Sequence, residues 1–351
     1  MTTGHEIEFG LDTFGDVTLD AGKNLLGQAE VIRNVITEAE LADRVGVDFF
    51  GIGEHHRADF AVSAPEVVLA AIAGRTERIR LGSAVTVLSS DDPIRVFQRF
   101  STLNALSNSR AEVILGRGSF IESFPLFGYE LTQYERLFEE KLDLYSALVS
   151  AKKVTWDGGW RAPLVDQAIY PPIEHGRLKT WIGVGGSPES LVRAVRYDMN
   201  LMLAIIGGDP KRFLPHVELF RKLATEAGRS PKEIGVHSPG YIAETDEQAR
   251  VDLYPHFKKV RDRLGAERGW PPVTEDDFQR EIESGSLYAG SPKTVARKIA
   301  MTTKTLGLSR FQIKYSAGTM DHEKLLASIK LYGERVIPEV RNILADNALT
   351  P

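Results

Sequence analysis

The sequence contains no cysteine in its 351 residues. This absence excludes disulfides, thiolate metal sites and a cysteine nucleophile, and it is compatible with a reducing compartment. No stretch approaches the roughly 20 consecutive apolar residues that a membrane-spanning helix needs. The opening residues, MTTGHEIEFGLD, lack the basic start and apolar run of a secretory signal peptide. We therefore expect a cytoplasmic protein that does not enter a membrane.

An excess of positive charge is also lacking. The chain has 43 Lys and Arg against 48 Asp and Glu, which gives a formal net charge of −5. Because the cations are spread along the chain, no basic stripe is available to neutralise nucleic-acid phosphates, and nucleic-acid binding is disfavoured. With 42% hydrophobic residues the composition is that of a globular protein. We expect one domain over residues 1–351, since α/β barrels of this length are common.

The dominant pattern is an alternation of short apolar strands with helices. The predicted strands are 7–11, 47–52, 79–87, 111–115, 180–184, 200–206, 234–243 and 311–315. Helices in most of the intervals, such as 28–44 and 94–106, indicate parallel strand pairing. The count of eight, and the lack of a Gly-x-Gly-x-x-Gly fingerprint after the first strand, favour a (β/α)₈ TIM barrel over an open doubly wound sheet.

Two intervals are too long for simple connections, and we expect insertions there. They follow the fourth and seventh strands, at about 118–178 and 244–290. Residues 153–178 show little periodicity and are interpreted as a long loop. Elsewhere, Ser63 and Glu66 have the spacing of a helix capping box.

A polar triplet, Glu54-His55-His56, follows the second predicted strand. Parallel barrels carry their active sites at the carboxyl ends of the strands, so these side chains are candidates for acid–base catalysis. A metal site is disfavoured, because adjacent side chains on extended backbone point in opposite directions. A hydrogen-bonded structural role for His56 remains an alternative. His237 is the only other histidine near a predicted strand end.

Two glycine-containing loops are candidates for phosphate binding. In the first, Gly185 and Gly186 precede a helix start at Ser187, where free amides and the helix dipole favour an anion. The alternative is a plain N-cap, with the Ser187 side chain accepting from the amide of Ser190. The second is Gly116-Arg117-Gly118-Ser119, whose guanidinium can pair with a phosphate or simply lie on the surface.

These motifs lie within longer segments that resemble a known family. The segments are GIGEHH at 51–56, IRLGSAVTVLSSDDPIRVFQRFSTLNALSNSRAEVILGRGSF at 79–120, WIGVGGSPESLVRAVR at 181–196, LYAGSPKTVARKI at 287–299 and DHEKLLASIKLYGERVIPEVR at 321–341. The chain resembles the bacterial luciferase-like flavin-dependent monooxygenases almost from end to end. The resemblance implies a (β/α)₈ barrel that binds FMN.

The resemblance also implies roles for individual residues. His55 is implied as the acid–base residue beside the reactive edge of the flavin, with Glu54 and His56 orienting its loop. The implied cofactor-binding residues are Ser83, Ala84, Thr86, Arg117, Gly185, Gly186, Ser187 and Ser190. Arg117 and the turn at 186–190 are implied to hold the FMN phosphate. The segment 83–86 is implied to lie behind the isoalloxazine ring, where the family often has a non-proline cis peptide.

The reaction that the resemblance implies is a two-component monooxygenation of a small organic substrate with O₂. A separate NAD(P)H:flavin reductase would supply reduced FMN, because the chain has no nicotinamide-binding fingerprint. A homodimer or homotetramer is also implied. The alternatives are an F420-dependent hydride-transfer enzyme, a non-catalytic flavin-binding protein, and a metal-dependent hydrolase using Glu54 and His55. Light emission is not implied, since no cysteine can lie beside the flavin.

Overall fold

The computed structural model describes residues 7–118, 120–230 and 232–346. In chain order its strands are β1 (Glu8–Thr13), β2 (Phe49–Ile52), β3 (Arg80–Ser83), β4 (Thr86–Val87), β5 (Ala111–Gly116), β6 (Lys153–Trp156), β7 (Leu164–Ala168), β8 (Lys179–Val184), β9 (Asn200–Ala204), β10 (Ile234–Ile242), β11 (Tyr288–Gly290) and β12 (Arg310–Lys314).

Eight of these strands close into a parallel barrel. The order is β1-β2-β3-β5-β8-β9-β10-β12, and β12 pairs with β1 to complete the ring. In that closing pair Leu11 lies opposite Ile313, and on its other side β1 places Leu11 opposite Phe50. The (β/α)₈ barrel expected from the sequence is therefore confirmed.

Helices surround the barrel and bury their apolar faces against it. They are α1 (Gln28–Arg44), α2 (Pro65–Ala73), α3 (Pro93–Leu106), α4 (Ser123–Leu126), α5 (Tyr134–Ser150), α6 (Pro188–Arg196), α7 (Leu214–Glu226), α8 (Asp246–Arg268), α9 (Glu275–Glu283), α10 (Pro292–Leu306), α11 (His322–Leu331) and α12 (Ile337–Asp346). Helix α1 has the bounds that its periodicity predicts, because Val31, Val35, Ala39 and Ala42 recur on one buried face. None of the helices in the described ranges is both long and apolar enough to cross a membrane.

The barrel interior is arranged in layers. At the amino end of the strands, the buried side chains of Glu112 and Arg310 pair at 2.8 Å. An apolar layer follows, formed by Phe49, Ala84, Ile114, Trp181 and Met202. The buried side chain of Gln312 reaches the same level, beside Gly10 and Phe49. The interior is therefore filled below the carboxyl mouth, where parallel barrels carry their chemically active groups.

The two predicted insertions lie after β5 and β10, and the first contains an element that the sequence analysis missed. Residues 153–178 were interpreted as a loop, but β6 and β7 form an antiparallel hairpin there. β6 alternates exposed and buried residues over only four positions, and β7 is largely exposed, so the pattern is too short to predict a hairpin. The second insertion contains α8, α9 and β11, with β11 paired to β10.

Two further local predictions are wrong. Helix α2 begins after Ala64, which makes no side-chain cap, so Ser63 and Glu66 do not form a capping box. Glu66 instead lies 3.4 Å from the guanidinium of Arg99. The single strand expected over 79–87 is divided into β3 and β4, and the cis peptide bond between Ala84 and Val85 lies between them.

Candidate active site at the barrel mouth

An aromatic group surrounds His55 at the carboxyl end of the barrel. The centroid of the His55 ring lies 4.4 Å from that of Phe14, 4.6 Å from Phe60 and 5.1 Å from Phe120. Phe14 follows β1, and His55 lies in the loop after β2, so pairing of these two neighbouring strands brings the rings together. The amide of His55 donates to the carbonyl of Val62 at 3.1 Å, which fixes the backbone of this loop.

This environment keeps His55 uncharged. Burial lowers the pKa of the His55 imidazole to about 3; the carboxylate of Asp16 opposes the shift, while Lys314 adds to it. Lys314 itself is held by both carboxylate oxygens of Asp16, at 2.7 and 2.8 Å. A neutral imidazole can both donate and accept a hydrogen bond, so His55 can bind a polar group at the mouth without carrying a charge.

Glu54 and His56 contact each other rather than His55. The Glu54 carboxylate lies 2.9 Å from His56 Nε2 and accepts from the amide of Val87 at 3.1 Å. It therefore ties the loop after β2 to β4. This arrangement suits the orienting role that the resemblance implies. The part of the chain that the structure describes has no group of three or more potential metal ligands.

The bend between β3 and β4 lies next to this loop. Its cis peptide, between Ala84 and Val85, falls within the segment where the sequence analysis expected one. The Thr86 hydroxyl is buried and has no hydrogen-bond partner among the described residues. The Ser83 hydroxyl, in contrast, donates to the carbonyl of Ile114 at 3.0 Å and accepts from its amide. Thr86 is thus free to contact a ligand, whereas Ser83 is engaged in the barrel wall.

The two candidate phosphate loops are joined by a chain of ion pairs. Arg117 pairs with Glu135 of α5, and the other oxygen of that carboxylate accepts from Arg193 of α6 at 2.9 Å. Arg193 also donates to the Ser190 hydroxyl at 3.3 Å, and Ser190 lies 2.7 Å from the hydroxyl of Ser187. The structure therefore brings the Arg117 loop and the start of α6 to one side of the mouth.

The start of α6 has the space and the polarity that a phosphate needs. A Cβ added at Gly185 would meet nothing within 4 Å. Gly186 adopts a φ of 118°, which favours glycine, and its carbonyl is bound by His216 Nε2 at 2.8 Å. Ser187 is the N-cap of α6 but makes no side-chain cap, so the plain N-cap alternative is wrong. With the two arginines close by, the residues present fit a phosphate-bearing cofactor.

The sequence and the fold were compared with those of known proteins. Residues 13–310 match the model of the luciferase-like monooxygenase family. The chain belongs to this family.

Several members and neighbours of this luciferase-like family are informative. Limonene 1,2-monooxygenase of Rhodococcus erythropolis is 28% identical over 313 residues, covering 85% of this chain and 79% of the relative. The oxygenating constituent of 3,6-diketocamphane monooxygenase from Pseudomonas putida, solved in complex with FMN, has a TM-score of 0.77 at 18% identity, covering 95% and 99%. An F420-dependent secondary alcohol dehydrogenase has a TM-score of 0.72 at 17% identity, also covering 95% and 99%. The two solved structures share the fold.

The sequence analysis missed two groups in this luciferase-like site. It did not single out Arg193 or Glu135, although Arg193 lies one helical turn after Ser190 within the phosphate motif. It also noted His237 only as a histidine near a strand end. The structure places His237 Nδ1 at 2.8 Å from Asp12 Oδ2, a pair that lies 225 residues apart in the chain.

Proposed function

We propose that the protein is an FMN-dependent monooxygenase that receives reduced FMN from a separate NAD(P)H:flavin reductase and oxygenates a small organic substrate. The observation that carries this proposal is the joint presence, at one barrel mouth, of an uncharged His55 and two arginines linked through Glu135. Relatives in the family act with oxygen by name, including limonene 1,2-monooxygenase. The FMN complex of a protein with the same fold supports the choice of cofactor.

Reduced FMN, when bound, supplies the two electrons with which one atom of O₂ enters the substrate and the other leaves as water. The protein's own residues bind, orient and exclude water. Arg117 and the start of α6 would hold the phosphate, and Thr86 would face the ring system. The rings of Phe14, Phe60 and Phe120 keep water from His55, whose neutral imidazole holds or passes a proton at the reacting centre.

F420 is the second candidate cofactor, because the F420-dependent alcohol dehydrogenase shares this fold. F420 is itself a phosphate-bearing deazaflavin, so the arginines would suit either molecule. Hydride transfer from reduced F420 consumes no oxygen, and the two functions therefore differ in a measurable way.

Cofactor titration of the purified protein tests the proposal. We expect quenching of FMN fluorescence with an affinity that exceeds those for riboflavin and F420. Arg117→Ala should weaken FMN binding by about tenfold to a hundredfold, the range for loss of a charge-assisted hydrogen bond, and should leave riboflavin unchanged. Arg136→Ala is the matched control, since Arg136 packs over Trp160, an exposed ring.

Oxygen uptake completes the test. With reduced FMN, a flavin reductase and a panel of small apolar substrates, we expect oxygen uptake coupled to product formation. Tight binding of F420 in preference to FMN, without oxygen uptake, would establish hydride transfer instead. Binding of FMN without any turnover would leave a flavin-binding protein that is not an enzyme.

A further inference from the structure

A second imidazole faces the mouth across from His55. His237 lies on β10 and Asp12 on β1, and β12 separates these strands in the barrel. The two side chains meet across β12, with His237 Nδ1 2.8 Å from Asp12 Oδ2. The Phe14 ring lies between the two histidines: it is 4.4 Å from the ring of His55 and stacks on that of His237 at 6.4 Å.

Strand alternation places this pair on the inner side of the barrel. A Cβ at Gly235, two residues before His237, would collide with Met202 of the apolar interior layer. A Cβ at Gly10, two residues before Asp12, would collide with Gln312 and with Phe49 of the same layer. Because side chains two apart on a strand share a face, His237 and Asp12 point into the barrel just above that layer.

The carboxylate decides which nitrogen of His237 carries the proton. Asp12 is fully buried and an ionised carboxylate can only accept, so Nδ1 of His237 is the donor. In the neutral form of the ring Nε2 is unprotonated, and this nitrogen has no hydrogen-bond partner among the described residues. The other Asp12 oxygen, Oδ1, is likewise buried without a partner in those ranges. Both atoms are therefore available to a ligand at the mouth.

The ammonium group of Lys314 does not supply the missing partner of Nε2 or Oδ1. Lys314 of β12 is occupied by Asp16 and by the carbonyl of Ser316 at 2.5 Å. The Phe14 ring stacks on the His237 ring, and the buried Gln312 lies opposite His237 on β12 without a hydrogen bond to it. The unprotonated Nε2 of His237 can therefore accept a hydrogen bond from a ligand next to the Phe14 ring.

We propose that His237, held by Asp12, binds a hydroxyl group of the substrate through Nε2. The substrate class is thus a mainly apolar molecule with an alcohol or phenol group, seated at the mouth with its hydroxyl on His237. This inference rests on the proposed function in placing the substrate at this mouth. His237 would be a specificity-determining residue that contacts substrate, and Asp12 a positioning residue that acts through it.

The test uses two probes of similar size, cyclohexanol and cyclohexanone, titrated calorimetrically into the FMN-loaded protein at pH 8. Only the alcohol can donate to Nε2, and we expect it to bind about fivefold more tightly than the ketone, the effect of one net hydrogen bond. His237→Gln should reduce this preference, while His175→Gln at an exposed position should retain it.

The Asp12→Asn variant distinguishes the proposed positioning of the His237 tautomer from a purely structural role of Asp12. An asparagine amide can donate to Nδ1, which shifts the ring proton to Nε2 and turns His237 into a donor. The preference should then move toward the ketone, and ¹⁵N shifts of labelled histidine should report the new tautomer. If Asp12→Asn does not fold, the native preference and the His237→Gln variant decide.

Equal affinity for the two probes, or no binding of either, would overturn the inference. An unchanged preference in a folded Asp12→Asn protein whose tautomer has shifted would do the same. FMN titration of the same samples separates the two proposals. If the protein binds FMN but shows no alcohol preference, only the proposed hydroxyl site is refuted. If the protein does not bind FMN and the FMN-free protein still prefers the alcohol, only the proposed FMN cofactor is refuted.

Discussion

His55 is the side chain with the most altered chemistry at the mouth. Its pKa of about 3 means that the folded protein leaves the ring neutral, while the unfolded chain protonates it below about 6.5. Because the unfolded state then binds more protons, the free energy of unfolding falls as the pH drops from about 6.5 toward 3.

Replacing His55 by Gln should remove this pH dependence. Between pH 7.5 and 5 the wild type should lose at most about 2 kcal/mol through this group, and the variant should lose correspondingly less. Urea unfolding at the two pH values measures the difference. Oxygenation should also fall by about 10²-fold to 10⁴-fold if His55 is the acid–base residue, with FMN affinity retained. An equal dependence of the unfolding free energy on pH in the wild type and the variant would contradict the burial of His55.

Adding a methyl group at Gly185 tests whether the cofactor phosphate binds at the start of α6. Its φ lies outside the left-handed region and its Cβ position is open, so Gly185→Ala should change the free energy of unfolding by less than about 0.5 kcal/mol. The new methyl would occupy the space at the start of α6. We expect FMN affinity to fall about tenfold with riboflavin affinity unchanged, measured by fluorescence titration. Equal losses for both flavins would place the phosphate elsewhere.

Among the elements, the ends of β1, β2 and β3 approach one another closely. A Cβ at Gly53, just after β2, would lie 2.4 Å from the Phe14 ring and 2.8 Å from the carbonyl oxygen of Ala84. The backbone oxygen cannot move independently of the bend between β3 and β4. The close approach of these three strand ends therefore requires glycine at this position.

Gly53→Ala should destabilise the protein by about 1–3 kcal/mol, the cost of overpacking. Displacement of Phe14 should also raise the pKa of His55, because the imidazole becomes better solvated. Thermal unfolding and NMR titration of the histidines measure the two effects. The control is Gly74→Ala, where the backbone is right-handed and only a carbonyl at 3.8 Å is near. Similar unfolding temperatures for the two variants would show that the strand ends move apart to accommodate the added methyl group.

At the scale of the whole molecule, the charged layer joins opposite walls of the barrel. Glu112 of β5 accepts from Arg310 of β12 and from the indole of Trp181, each at 2.8 Å. Burial alone would raise the pKa of Glu112, but Arg310, Arg80 and Lys179 hold it well below its ordinary value. The stabilisation is therefore present above pH of about 4.5 and is lost as the pH falls.

Glu112→Gln should lower the free energy of unfolding by about 3–5 kcal/mol, because it leaves the buried Arg310 with one fewer charged partner. Urea unfolding at pH 7 measures this loss. Glu226→Gln, which breaks an exposed pair with Lys222, should cost less than about 1 kcal/mol. Comparable losses in the two variants would show that the buried layer contributes no more than a surface ion pair.

The sequence by itself determined the barrel and the loops that bear its chemistry. Strand and helix periodicity depends on neighbours a few residues apart, so helix α1 and the succession of eight barrel strands along the chain could be predicted directly. Only the tertiary structure decided which side chains meet. The pairing of Asp12 with His237 and the bridge from Arg117 through Glu135 to Arg193 arise because barrel closure brings distant strands and helices together. No local pattern specifies such contacts, since their partners are set by strand order and register.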